Sequence, residues 1–253
     1  MIKVVLIGAG NLAFHFKEII FKSKKVKVIQ WYNRTLKKIK LYANEVSVTD
    51  KIANLTSADI YIITVSDSAV SCLSKKIDTN ALVVHCSGSL SINDLLCKSS
   101  KGVFYPLQTF SKEVPLKKEC ITFLIETEKK EDFNILQHLS TEMGVKSIKV
   151  NSKKRAYIHL IATITSNFIN HVIGTGQVIA KKHKIPFDIF NSLIKESYHK
   201  AINLGAENSQ TGPAVRNDFI TIKKHLDLIS DKKIKKMYKS ITKSIQHSNE
   251  KKL

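Results

Sequence analysis

Arginine is nearly missing from this strongly basic sequence. Of 41 Lys and Arg residues only Arg34, Arg155 and Arg216 are arginine, against a formal net charge of +20. A guanidinium fork grips phosphates and guanine edges in pairs, whereas lysine offers a point charge. The excess is also diffuse, with 22 basic against 14 acidic residues up to residue 150 and 19 against 7 beyond it. A nucleic-acid partner is therefore not expected. The same scarcity marks the three arginines as places where fork geometry is needed.

Long hydrophobic runs are absent too. No stretch approaches eighteen apolar residues, which argues against a membrane span. The apolar run within Met1 to Gly10 is too short for a secretory signal and reads better as a first strand. Four cysteines, Cys72, Cys86, Cys97 and Cys120, lie without metal-like or redox-like spacing. They are expected as reduced thiols in a cytoplasmic protein with no metal site.

What is present is alternation. Apolar runs at Ile2–Ile7, Val26–Tyr32, Ile60–Val65, Ala81–Cys86, Gly102–Tyr105, Cys120–Glu126 and Val145–Val150 read as strands. Helical spacing falls between them at Asn11–Phe21, Leu36–Ala43, Ser68–Ile77 and Lys129–Met143. Beyond Asn151 only helices are expected, over Lys153–Lys182, Phe187–Leu204, Arg216–Ile229 and Lys232–Gln246, with a frayed tail after Ser248. The expected fold class is α/β, a doubly wound Rossmann-type sheet over residues 1–150, followed by an all-α domain over 151–253.

"VVLIGAGNLA" sets Gly8, Gly10 and Ala13 in G-x-G-x-x-A, with Asn11 and Leu12 opening the helix. The first glycine permits the tight turn and the second lets backbone approach a pyrophosphate. Ala13 allows close helix–sheet packing, and the helix N-terminus faces the anion. The strand–turn–helix setting points to a dinucleotide.

The next absence is an acidic residue. About twenty residues after such a turn a carboxylate usually accepts from the ribose 2′-OH, but here the chain reads "WYNRT". Asn33, Arg34 and Thr35 offer donors and positive charge instead, which suits the 2′-phosphate of NADP. The plain alternative is a solvated arginine at a strand end.

"TVSDSAV" and "HCSGSL" follow the next two buried strands, where ligands of open α/β sheets lie. Val65, Ser66 and Asp67 are expected along the cofactor, and Ser87 and Gly88 at its far end, toward substrate. Ser66–Asp67 reads equally as a helix N-cap. Cys86 is expected as a small buried residue. On the long helix His159, Thr163, Ser166 and Asn170 recur at i, i+4, i+7 and i+11, with Asn167 beside them. They line a cleft or make a polar contact between helices. His159, Ser166 and Asn167 are the candidate catalytic residues, His159 being the one suited to proton transfer near neutrality. In "SQTGPAVRND", Thr211, Arg216 and Asn217 are candidates for binding an anionic small-molecule substrate; an Arg216–Asp218 ion pair is the alternative.

"GAGNLAFHF", "HCSGSL", "GVFYPLQTF", "TSNFINH" and "TGPAVRND" occur in this order. The series resembles, over essentially the full length, Rossmann-like NADP oxidoreductases whose C-terminal half is a helical domain of unknown function. These are relatives of pyrroline-5-carboxylate reductase and of the 6-phosphogluconate and 3-hydroxyisobutyrate dehydrogenases. "NRT" is similar to the NADP-selecting segment of the pyrroline-5-carboxylate reductases. The resemblance implies an NADP cofactor, a homodimer through the helical domain and an active site between the domains, with Gln108 among the substrate residues. It names no substrate.

Two departures stand out. Hydroxyacid dehydrogenases of the superfamily carry a catalytic lysine four residues before an asparagine, and here Thr163 precedes Asn167. Tyr105 stands where the family pattern has histidine before Pro106. The expected function is an NADP(H)-dependent oxidoreductase of a small polar carbonyl, imine or hydroxy compound. The rival reading, kept open by the missing lysine, is a non-enzymatic NADP(H) sensor or scaffold.

Overall fold

The computed structural model describes residues 1–21, 23–111, 114 and 118–250. The chain divides into two compact units, residues 1–166 and 167–253. The composition change near residue 150 and this division bracket helix α4 (Ser152–Ala162).

The first unit is an eight-stranded sheet: β1 (Ile2–Ile7), β2 (Val26–Tyr32), β3 (Ser47–Thr49), β4 (Ile60–Ile63), β5 (Leu82–His85), β6 (Lys101–Leu107), β7 (Thr122–Thr127) and β8 (Lys146–Lys149). Their order is β3-β2-β1-β4-β5-β6-β7-β8. All neighbours run parallel except β6 and β7, which pair antiparallel. Each residue of β4 and β5 is buried, as both faces of a covered parallel sheet require. The unit is the doubly wound α/β fold expected.

Two apolar layers sandwich the sheet. On one face Val4, Leu6, Trp31, Phe104 and Phe123 pack with Ala13, Phe16 and Ile20 of α1 (Asn11–Phe21) and with Leu136, Leu139 and Met143 of α3 (Lys130–Met143). Phe104 and Phe123 stack at 4.1 Å. On the other face Val5, Ile7, Tyr61 and Ile63 pack with Val70 of α2 (Asp67–Ser74), Leu95 and Cys97.

One irregularity decides which side chains face where. Val4 pairs with Val28, but Val5 pairs with Gln30, so β2 carries one extra residue beside β1. A one-residue slip exchanges the faces of everything beyond it. Trp31 therefore lies opposite Leu6, on the α1 side, and Gln30 turns to the other, where it bonds the Asn54 carbonyl and the Thr56 N–H.

Some elements differ from expectation. Residues 36–43 form two single 3₁₀ turns, Leu36–Lys38 and Lys40–Tyr42, instead of a helix. Ile39, Tyr42 and Trp31 pack this segment closely against the sheet, and such packing does not demand α-helical register. The expected helix over residues 153–182 is three pieces: α4, a π-helical stretch Thr163–Phe168, and α5 (Ile169–Lys182). The second unit continues with α6 (Asn191–Asn203), α7 (Ala206–Ser209), α8 (Phe219–Leu228) and α9 (Lys232–Glu250). The expected frayed tail is helical through Glu250, and residues 251–253 lie outside the described residues.

Candidate functional site

The glycine turn sits at the C-terminal end of β1. Gly8 has φ +118, and a Cβ there would lie 2.7 Å from Thr64 Oγ1 and 2.9 Å from the Thr64 carbonyl. Both backbone shape and space thus demand glycine. Around Gly10 the nearest atom to such a Cβ is 4.0 Å away, so this stretch of backbone is open to a ligand. Ala13 is fully buried against the sheet. Among the described residues no backbone N–H from Ala9 to Ala13 meets a protein acceptor, as a helix start that binds an anion requires. Leu12 packs on the core, while the Asn11 amide turns to donate to the Phe110 carbonyl at 3.0 Å.

The residues after β2 stand beside this turn. Asn33 donates its N–H to the Thr49 carbonyl and its side chain to the Thr35 carbonyl, which closes a compact loop. Arg34 at its tip is exposed and, among the described residues, in no ion pair. These residues fit a dinucleotide with a 2′-phosphate: an open glycine turn, unengaged N–H groups and an uncommitted guanidinium.

The loop after β5 is built by hydrogen bonds within itself. Ser87 accepts the N–H groups of Ser89 and Leu90, both at 3.1 Å, and donates to Asp67 at 2.8 Å. Ser89 also donates to Asp67, at 2.6 Å. The Ser87 hydroxyl is thus fully engaged in shaping the loop. Ser66 precedes α2 without capping it through its side chain, and contacts Ser68 instead. Val65 packs on the second apolar layer. His85 accepts the Ser87 N–H on Nδ1 at 3.1 Å, so its Nε2 carries the proton and donates to the Ser91 carbonyl. Burial lowers its pKa to about 4, which keeps this imidazole neutral and structural. Burial also pushes the Cys86 thiol up, so that residue is inert packing, as expected.

Gly88 lies beneath two rings. A Cβ on it would fall 2.6 Å from His159 Nδ1 and 2.9 Å from Tyr105 Cζ. Tyr105 Oη and His159 Nδ1 are 3.1 Å apart, with the rings edge to face. Burial raises the Tyr105 pKa, so the phenol stays protonated. Gly88 follows β5, two strands from β1, or about 10 Å by strand spacing from the glycine turn.

Arg155 fixes His159 in this place. It is fully buried, one turn before His159 on α4, and pairs with Glu126 of β7. It also donates to the Leu90 carbonyl and to Ser152 Oγ. Ser152 in turn donates to Glu126 and accepts the Ile92 N–H. The start of α4 is thereby tied to both the β5 loop and β7. Neither Arg155 nor Tyr105 was a candidate from sequence. Their signals were the scarcity of arginine and the departure before Pro106.

The polar stripe expected beyond His159 does not keep its line. In the π stretch, i→i+5 closure inserts an extra residue into the turn, which displaces the helical phase of the residues after it. Thr163 spends its hydroxyl on the His159 carbonyl. Ser166 and Asn167 are exposed within the π stretch, Asn167 being the first residue of the second unit. Gln108 is engaged with Thr109 and the Cys120 carbonyl.

In the second unit, residues 211–218 form a turn with Gly212 at φ +106 and Asn217 at φ +52. Asn217 accepts from Gln246 at 3.1 Å, and Asn249 donates to the Val215 carbonyl. Asp218 caps α8 through Thr221, and those bonds hold its pKa low. Arg216 is exposed and, among the described residues, forms no ion pair with Asp218; Thr211 is exposed as well.

The sheet order and the glycine turn define a Rossmann-type nucleotide-binding fold. Residues 121–245 match a family described as a domain of unknown function, DUF2520. A Bacteroides fragilis protein whose designation, NADP oxidoreductase, names no substrate is 33% identical. Its TM-score is 0.90, with 97% of this chain and 98% of that one covered. A Thermotoga maritima protein shares the fold at 19% identity, TM-score 0.71, covering 98% of this chain and 99% of that one. So does a Plasmodium falciparum pyrroline carboxylate reductase with NADP bound, at 12% identity and TM-score 0.62, covering 98% of each chain. No curated protein sequence matches the chain. The chain belongs to the family of Rossmann-type NADP oxidoreductases that carry the DUF2520 domain. Among the described residues no helix is long and apolar enough to cross a membrane.

Proposed function

We propose that the protein is an NADP(H)-dependent oxidoreductase of a small polar carbonyl, imine or hydroxy compound, with His159 as its acid/base. The observation that carries this reading is the imidazole seated on Gly88 and bonded through Nδ1 to Tyr105. Bound NADP(H) supplies or accepts the hydride. Gly8, Gly10 and the N–H groups of residues 9–13 hold the pyrophosphate, and Arg34 with Asn33 and Thr35 selects the 2′-phosphate.

Histidine is the side chain that exchanges protons near neutral pH. A phenol both donates and accepts, so Tyr105 supports His159 as imidazole or imidazolium. Nε2 is the nitrogen left over. It gives a proton to the substrate oxygen or nitrogen in reduction and takes one in oxidation. Ser166 and Asn167 orient the substrate, and Arg216 with Thr211 and Asn217 holds an anionic group. The exposure of the Arg216 guanidinium supports that last assignment.

The helical unit is also proposed to dimerise with a second copy. Only Ala180, Ala214 and Ile222 among its described apolar residues are buried. Val172 and Val178 of α5 and Leu193 and Ile202 of α6 are exposed. A unit of this size needs a larger core than that.

The test is NADPH oxidation by wild type and His159→Ala across a panel of 2-oxo acids and cyclic imines. The variant should lose about 10²- to 10⁴-fold in kcat/KM on any active compound, with NADPH affinity unchanged. Equal turnover by the two proteins would remove His159 from the chemistry. Tight NADPH binding without turnover on any compound would favour the sensor reading.

A further inference from the structure

The single tryptophan of the chain has no part in the chemistry above, yet it touches the cofactor turn. Trp31 is 2% exposed, and its indole N–H donates to the Gly8 carbonyl at 2.6 Å. We infer that Trp31 is a positioning residue of the dinucleotide site: it holds the Gly8 carbonyl inward and so aims the Ala9 N–H outward, at the pyrophosphate. This inference rests on the dinucleotide reading proposed above.

The geometry is set by the peptide unit. The Gly8–Ala9 peptide is planar and trans, so its C=O and N–H point in opposite directions. Drawing the carbonyl into the core leaves the N–H no direction but away from it. Gly8 is held from both sides by consecutive residues of β2, since its own N–H donates to the Tyr32 carbonyl at 2.9 Å. At φ +118 a glycine has other conformations nearby, and these two bonds select one.

Two independent features put the indole there. The slip between Val4 and Val5 turns Trp31 to the α1 face; in unbroken register, Gln30 would occupy that face instead. A bulge beside a ligand turn is a common way to re-aim one side chain. The indole is then fixed in its plane by stacking on Tyr42, with ring centroids 5.0 Å apart and planes 19° apart. Lys17 Nζ lies 4.6 Å from the centre of the Tyr42 ring. A phenylalanine would fill much of the same space but would leave the Gly8 carbonyl buried without a donor.

Because the chain has one tryptophan, its benzothiophene analogue can be incorporated at this position alone. The analogue keeps the ring shape and lacks the N–H. Calorimetric titration of the analogue protein should show NADPH and NADH each bound about tenfold more weakly, by the same factor. Trp31→Phe should act in the same direction. In ¹⁵N-labelled wild type, the one indole resonance should shift as NADP⁺ is added. Unchanged affinities in a folded analogue protein, with wild type binding normally, would overturn the inference and spare the dinucleotide reading. Lost thermal stability with unchanged affinities would reduce Trp31 to packing and likewise overturn it. A wild type that binds neither cofactor would overturn both.

Discussion

Residues 1–166 and 167–253 treat apolar side chains in opposite ways. The first unit buries 38 of them among its described residues, most in two layers that cover both faces of the sheet. The second buries three among its described residues and turns side chains such as Val178, Leu193, Ile202 and Phe219 to solvent. One unit closes its own core, and the other leaves most of its described large apolar side chains at the surface. The candidate cofactor and acid/base residues fall on one side of this division. The glycine turn, Arg34, Tyr105, Gly88 and His159 all stand on the closed unit, where packing fixes their geometry.

The largest loss is expected at Arg155. Replacing it by methionine leaves Glu126 without its guanidinium and detaches α4 from the β5 loop. Urea unfolding should show a loss of about 3–5 kcal/mol that does not depend on protein concentration. The second unit should answer to concentration instead. Leu193→Lys with Ile202→Lys places charges at two exposed apolar positions of α6. Light scattering should show association weakened by at least about a hundredfold, with the sheet unit still folded. A monomeric wild type would rule out the proposed dimer.

The cost of burying His85 falls on the closed unit alone. Above pH 6.5 the imidazole is neutral in both folded and unfolded chains. As pH falls toward about 4 the unfolded chain takes up a proton that the folded one refuses. Stability should therefore decline through this window, by about 3 kcal/mol in all. His85→Gln should flatten that part of a pH series of unfolding curves.

The closed unit was also the more legible in sequence. Fully apolar runs such as "IYII" and "LVVH" announce buried parallel strands, and "GAGNLA" announces the turn, because each is a local demand. The slip between β1 and β2 is not local. It adds one residue relative to a neighbouring strand, and nothing in "VKVIQWY" marks where. The π stretch escaped for a similar reason, since residues 163–168 have ordinary helical composition and the change lies in the hydrogen-bond closure. Tyr105 and Arg155 were visible as oddities. Their roles required seeing β6, β7 and α4 brought together around Gly88.

The NADP(H) preference in the proposed function rests on Arg34. Titration of wild type and Arg34→Ala with NADPH and with NADH, monitored by calorimetry, measures it directly. Arg34→Ala should lose about 1.5–3 kcal/mol for NADPH, or about tenfold to 150-fold, with NADH affinity nearly unchanged. An equal loss for both cofactors, or none for NADPH, would contradict it.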